Sequence, residues 1–346
     1  MTTLAASAAV TKHPSDAAPS TMRAAVLVSP GRFEVRDDVP LPQPAAGQVR
    51  VRMEGCGVCA SNIPPFEGRE WFQYPMKPGQ LGHEAWGIVD ATADDATSLR
   101  VGDRVAMLSD HAYAQYDVAD VTKIIKLPAA LDGMPFPAEP LGCAMNIFAR
   151  SNVRAGQTVA IIGIGFLGAL LTQLCKNAGA RVIAISRRPF SLDVAREAGA
   201  DEAIPLDDHW QIINRVAALT DGSGGYDVKG FCDIVVEAVG KQWPLDLAAE
   251  LCAVRGRLVI AGYHQDGQRQ INMQLWNWRG LDVINAHERD PATYVAGMRA
   301  AADAVADGRL DPSPLYTHAF PLERLGEALT MTRDRPDGFL KALITM

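Results

Sequence analysis

TVAIIGIGFLG, residues 158–168, decides the fold. It opens on an apolar run of strand length, and glycines 163, 165 and 168 punctuate the residues after that run. Leu167, Leu170, Leu171, Leu174 and Cys175 then recur at the three- and four-residue spacing of one helical face, which predicts a helix over 167–178. A strand that hands over to a helix through G-x-G-x-x-G is the arrangement that cradles a dinucleotide. Gly163 permits the tight turn, Gly165 lets the backbone approach a pyrophosphate, and Gly168 lets helix and strand pack closely. The N–H groups and dipole of the helix start then face the phosphates.

Outward from this unit, strand and helix alternate. RVIAIS (181–186) reads as the next strand and SLDVAREAGA (191–200) as the next helix. DIVVEAVG (233–240), PLDLAAELCAV (244–254), RLVIAGY (257–263) and LDVINA (281–286) continue the pattern. Such an order implies an α/β architecture, with a doubly wound parallel sheet and right-handed crossovers over residues 147–285. Upstream, residues 22–146 carry short β-like runs (AAVLV, QVRVRME, AWGIVDA, DRVAML, KIIKLP) broken by Gly and Pro, as in a β-rich barrel-like domain. Residues 286–346 add an amphipathic helix near 293–307 and a β-like run, FLKALITM. Residues 1–21, rich in Ala, Ser, Thr and Pro, read as a disordered tail.

A chain of 346 residues has room for about two domains. Its net charge of -7 argues against a dedicated nucleic-acid binder or a protein of anionic membranes. Six cysteines are too few for a disulfide scaffold, so a reducing, cytoplasmic location is expected. No residue from Ala155 to Cys175 is charged, a length that could span a bilayer. Glycines 156, 163, 165 and 168 interrupt it, and a soluble strand–turn–helix accounts for it better than a membrane span.

At the end of the second strand an NAD site would carry an acid for the adenine ribose hydroxyl. The chain instead reads Ile185-Ser186-Arg187-Arg188. Arg187 or Arg188 can pair a 2′-phosphate, and Ser186 leaves room and a hydrogen bond, so NADP(H) is expected over NAD(H). Three further segments carry metal-ligand chemistry: Cys59 in GVCAS, His83-Glu84 in LGHE, and Glu139 in EPL. Thiolate, imidazole and carboxylate suit a catalytic zinc with one open position. No short spacing links them, however, and by composition alone each could be an ordinary buried residue. Cys56 and Cys59 form a lone C-x-x-C with no partner pair.

Together with Trp278-Arg279-Gly280, these segments resemble the medium-chain dehydrogenase/reductase superfamily in its zinc-dependent alcohol and polyol (sorbitol-type) branch, from Met22 to Met346. The resemblance implies a GroES-like catalytic domain, residues 22–146 and 286–346, around a Rossmann domain, 147–285. It also implies an NAD(P)-linked alcohol dehydrogenase or carbonyl reductase. Cys59 and His83 match the zinc ligands, Glu139 the third ligand, and Glu84 the neighbour that takes turns with it. Ser61 matches the hydroxyl that exchanges the substrate proton. Cys143 is expected beside the nicotinamide, Leu167 near its far face and Lys341 at the pyrophosphate, while Phe166 and Gly262 complete the cofactor contacts.

Four departures stand out. Asn62 replaces the Asp that orients the ligand His, Pro64 a proton-relay His, and Ala60 a basic pyrophosphate contact. Residues 85–128 contain no Cys, so one catalytic zinc and no structural zinc is expected. The substrate implied is a small alcohol, polyol or carbonyl compound, and an exposed sheet edge implies a homodimer or homotetramer. Neither nucleic acid nor membrane is expected as a partner. Trp71, Phe72, Tyr74, His264 and His287 are candidates for touching substrate. Two rival readings are a zinc-free quinone or enoyl reductase on the same fold, and a non-catalytic NADPH-binding protein.

Overall fold

The computed structural model describes residues 20–93, 98–222 and 230–346. Of the expected tail only Ser20 and Thr21 fall among them, and Thr21 already opens the first strand. Strands β1 (Thr21–Ser29) and β2 (Arg32–Pro40) form an antiparallel hairpin. β3 (Gln48–Gly57), β4 (Glu84–Thr92), β5 (Arg104–Leu108), β6 (Tyr116–Asp120) and β7 (Ile124–Lys126) build an antiparallel sheet. Its order is β3-β4-β5-β7, and β6 also pairs with β3. The alternation in β3 sets its face: Val49, Val51 and Met53 enter the core while Arg52 points to solvent. A short helix, α1 (Ile63–Glu67), comes after the loop that bears Cys59, and α2 (Ala138–Ser151) leads out of the sheet.

The second half is a six-stranded parallel sheet. It comprises β8 (Thr158–Ile162), β9 (Arg181–Ser186), β10 (Glu202–Pro205), β11 (Cys232–Glu237), β12 (Cys252–Ile260) and β13 (Asp282–Asn285). Their spatial order is β10-β9-β8-β11-β12-β13. Helices α3 (Phe166–Asn177), α4 (Pro189–Glu197), α5 (His209–Leu219), α6 (Gln242–Leu251) and α7 (Met273–Arg279) make the connections. β8 is buried on both faces: Val159 and Ile161 enter one apolar cluster, Ala160 and Ile162 the other. The strand order reverses beside β8, so the glycine motif sits at the switch point where such sheets bind ligands. The uncharged stretch around it is strand, turn and the 12-residue α3, and no described helix is long and apolar enough to cross a membrane.

Helix α8 (Pro291–Ala306), strand β14 (His318–Pro321), helix α9 (Leu325–Asp334) and strand β15 (Ala342–Thr345) return the chain to the first sheet. β15 lies between β14 and β3, parallel to the former and antiparallel to the latter. Both α4 and α8 begin about two residues earlier than their apolar periodicity indicates. Each has a proline in its first turn, and Asp290 caps α8 by accepting the N–H groups of Ala292 and Thr293. α2 runs through the boundary expected at residue 146. One apolar core joins Trp86, Ala106 and Ile125 of the first half to Val159, Ile161 and Leu170 of the second, with Leu141 of α2 and Met298 of α8 between them.

Arg279 gives the Trp278-Arg279-Gly280 segment a physical meaning. Its guanidinium is buried and donates to the carbonyls of Glu250 (2.6 Å) and Cys252 (2.7 Å), tying α7 to the end of α6. Gly280 then ends α7 at φ +60°. Replacing Arg279 by Met strands those buried carbonyls, and we expect urea denaturation to show a loss of about 3 kcal/mol.

Candidate active site

Antiparallel pairing of β3 with β4 sets Gly57 opposite Glu84. Cys59, two residues past Gly57, therefore meets His83, one residue before Glu84. The Cys59 sulfur, a His83 ring nitrogen and a Glu84 carboxylate oxygen all lie within 4.8 Å of one another. Glycine is required opposite them, since a β-carbon at position 57 would sit 1.8 Å from Glu84 Oε2. His83 Nδ1 lies 2.9 Å from the Leu81 carbonyl, which places its proton on Nδ1 and leaves Nε2 for a ligand role.

The part expected of Asn62 is different in the structure. Its amide does not touch His83 but donates to the same Leu81 carbonyl (3.1 Å) and to the Tyr113 hydroxyl (2.9 Å), which in turn donates to the Gly57 carbonyl. Asn62 thus braces the group that orients the imidazole. An Asp there would face that carbonyl with no proton to offer.

The electrostatics of the cluster call for a cation. Burial opposes a charged His83, yet Cys59, Glu139 and Glu84 outweigh it and push the imidazole up to about 10. Sulfur, imidazole and carboxylate converging on one point is also a donor set that zinc accepts. The two carboxylates differ in their surroundings. Glu84 is fully buried, and its Oε1 accepts from Lys341 Nζ at 2.7 Å. Lys341 also donates to the Val58 carbonyl and lies 5.2 Å from the Phe166 ring centroid. Expected at a pyrophosphate, Lys341 is instead buried beneath Phe166 and spent on Glu84.

Glu139, on the first turn of α2, stands outside the tight cluster. Its Oε1 accepts from the Tyr294 hydroxyl at 2.8 Å, with Cys143 Sγ 3.5 Å away. Cys143 Sγ is itself 2.8 Å from the Tyr294 oxygen. Tyr294 comes from α8, 155 residues further on, and nothing in the sequence pattern singles it out.

The glycine motif has the anatomy of a phosphate cradle. Gly163 adopts φ +100°, and a β-carbon on Gly168 would lie 2.1 Å from the Gly163 carbonyl oxygen. Around Gly165 the opposite holds: an added β-carbon would meet nothing within 4 Å, and no side chain caps the start of α3. Open space before uncapped N–H groups fits a dinucleotide phosphate. Leu167 is half-buried against the core, and the Phe166 ring stacks on Tyr316. Ser186 is buried at the end of β9 and Arg187 is exposed. Arg188 Nη1 donates to the carbonyls of Phe339 (2.7 Å) and Pro336 (3.3 Å), so this side chain bridges the two halves.

Gly262 packs against the loop after β11, where a β-carbon would lie 2.3 Å from the Gly240 nitrogen. Buried Glu237 organises that loop. It accepts the N–H groups of Val239 and Gly240 and a bond from His264 Nε2 at 3.0 Å. Arg269 Nε donates to the other His264 nitrogen, so both nitrogens of this imidazole are committed to packing. Of the aromatic loop, Phe72 lines a cavity of about 400 Å³ that opens on Ser61 and His83. Tyr74 bonds the Pro65 carbonyl, and Trp71 is exposed.

Residues 45–130 match the family model for the alcohol dehydrogenase GroES-like domain, and 167–303 that for zinc-binding dehydrogenases. The chain belongs to the zinc-type medium-chain dehydrogenase/reductase family. Among its relatives, the sorbitol dehydrogenase of Halalkalibacterium halodurans is 26% identical over 331 residues, 86% of this chain and 92% of that protein. The L-threonine 3-dehydrogenase of Bacillus subtilis is 25% identical over 344 residues, 89% and 95% of the two chains. A Sinorhizobium meliloti protein solved bound to NADP superposes with a TM-score of 0.78 at 25% identity, covering 95% of this chain and all of its own.

In a zinc-type dehydrogenase of this geometry, the two kinds of glycine in the motif separate by experiment. Gly165→Val should melt within a few degrees of the unaltered protein but lose dinucleotide affinity by about tenfold or more, read by fluorescence titration. Gly168→Ala should lower the melting temperature itself, because the added carbon meets backbone.

Proposed function

We propose that this protein transfers hydride between NADP(H) and an alcohol or polyol, or the corresponding ketone or aldehyde, at one zinc held by Cys59, His83 and Glu139. The convergence of Cys59, His83 and Glu84 ligand atoms within 4.8 Å of one another, at a cavity that Ser61 and His83 both line, carries this reading. Zinc supplies Lewis-acid polarisation of the substrate oxygen, and the nicotinamide carries the hydride.

The protein's own groups do the rest. Ser61 Oγ lies 3.5 Å from Asn62 Oδ1 and lines the cavity beside His83, where it exchanges a proton with the substrate hydroxyl. Pro64, which has no proton to pass, is buried just behind. Leu81 and Asn62 hold the His83 ring. Glu139 is favoured as third ligand because its described partners, Tyr294 and Cys143, are neutral, whereas Lys341 neutralises Glu84.

Ser186 and Arg187, with no acid beside them, favour NADP(H), as does the NADP-bound relative. NADP(H) use in turn favours carbonyl reduction as the working direction. β13 ends its sheet with no further neighbour among the described residues, and Ile271, Met273 and Trp278, just ahead of it in the chain, are exposed; both favour a homodimer or homotetramer. Six cysteines without a disulfide favour the cytoplasm.

Elemental mass spectrometry of unchelated protein should find about one zinc per chain, lost in Cys59→Ser. Metal-free protein would point to a zinc-free reductase instead. Glu139→Gln should lower the zinc content, whereas Glu84→Gln should chiefly lower stability, since it leaves the Lys341 ammonium buried without its counter-charge. In steady-state kinetics NADPH should outperform NADH, and Arg187→Ala should erase about tenfold of that preference. Equal use of the two cofactors by the unaltered enzyme would rule out the NADP(H) assignment.

A further inference from the structure

We propose that the cavity beside Ser61 selects a small hydroxy acid, an alcohol that carries a carboxylate and at least one further hydroxyl or ammonium group. This rests on the reading of Ser61 and His83 as the reacting end of the site. The cavity is lined at that end by Ser61, His83 and Leu81, and further out by Lys77, Asp110 and His111. Its volume of about 400 Å³ suits a small molecule.

The outer wall is held in place by its backbone. Gln80 accepts the Lys77 N–H through its side chain and returns its own N–H to the Lys77 carbonyl. The facing loop is strapped to this turn by Ala112 N–H to the Gly82 carbonyl and Tyr113 N–H to the Gly79 carbonyl. Contact is so close that a β-carbon on Gly79 would fall 2.1 Å from the His111 carbonyl oxygen. This fixes the backbone from which the Lys77, Asp110 and His111 side chains reach toward the cavity.

Lys77 and Asp110 are both exposed at the outer rim of this cavity, where their charged ends meet solvent and an entering ligand alike. Among the described residues, neither Lys77 nor Asp110 takes part in an ion pair. A ligand with a carboxylate for Lys77 and a donor for Asp110 satisfies both, with the His111 imidazole available to the same carboxylate. An apolar alcohol satisfies neither, and an uncharged polyol satisfies Asp110 but leaves Lys77 to water. Only the reacting end, with Leu81, Pro65 and Phe72, offers apolar contact, enough for the carbon skeleton of a short acid.

The test uses zinc-loaded, full-length enzyme with matched probes: threonate against threitol, erythronate against erythritol, and 3-hydroxybutanoate against 2-butanol, each in both enantiomers where they exist. In the oxidative direction each acid loses hydride from its hydroxyl carbon to the oxidised dinucleotide and releases the hydroxyl proton, so the keto acid is the product. We expect kcat/KM to favour each acid over its neutral partner by about tenfold or more. Lys77→Gln should collapse that ratio by about tenfold, mainly through KM. Asp110→Asn should weaken the polyhydroxy acids more than 3-hydroxybutanoate.

Calorimetric titration of threonate into the enzyme–NADPH complex, where no hydride acceptor is present, gives a readout apart from turnover, with binding expected to weaken about tenfold in Lys77→Gln. Oxidation of the neutral alcohols with no preference for acids would overturn the inference and leave the dehydrogenase reading intact. If no alcohol is oxidised, the dehydrogenase reading falls. The titration then decides the pocket separately: Lys77-dependent threonate binding upholds it, and its absence overturns it.

Discussion

Helix α2 belongs to two sheets at once, and that constraint places everything else. Its apolar face enters a core shared by β4, β5 and β7 on one side and β8 and α3 on the other, with α8 packed alongside. Two independently folded halves would have to find each other across water, whereas here they are joined by close-packed apolar surface that resists sliding. The first turn of the same helix carries Glu139 and its second Cys143, so core packing also fixes where these side chains face Tyr294. Arg188 adds a polar tie between the halves through the carbonyls of Phe339 and Pro336.

Within the cluster itself, charge is rationed. Glu84 and Lys341 are both buried, and each is tolerable only because of the other. Lys341 lies between Glu84 and the Phe166 ring at the start of α3, so the pair is also the physical link from the Cys59–His83–Glu84 cluster to the glycine motif. Tyr294 does for Glu139 with a neutral hydroxyl what Lys341 does for Glu84 with a charge. Two carboxylates close together therefore differ in what they can still offer.

How much could be read in the sequence depends on how local each interaction is. β8, α3 and β9 were legible to within a residue or two because a buried strand, a glycine turn and a helical stripe succeed one another in 158–186. α2 was missed: it starts among prolines, and no side-chain cap marks its first turn. α7 was missed for another reason, being seven residues long and started by an Asn272 cap rather than by periodicity. Cys59, His83 and Glu84 were recognisable as candidates, but only the β3–β4 register brings them together. Roles that depend on partners far along the chain could not be foreseen. Tyr294 meets Glu139 and Lys341 meets Glu84; nearer by, a backbone carbonyl at Leu81, which no side-chain pattern marks, takes the part expected of Asn62.

The position of β15 bears on the order in which the molecule can be completed during synthesis. Residues 342–345 insert between β14 and β3, and Lys341, just ahead of them, neutralises Glu84. The parallel sheet of β8 to β13 is contiguous in the chain and can fold while the ribosome is still adding the C-terminal segment. The first sheet cannot: until β15 emerges, β3 lacks one neighbour and Glu84 lies in the interior without its counter-ion. The nascent chain therefore carries a formed parallel sheet beside an open, acidic cluster, and only the arrival of residues 341–345 brings the buried charge to balance.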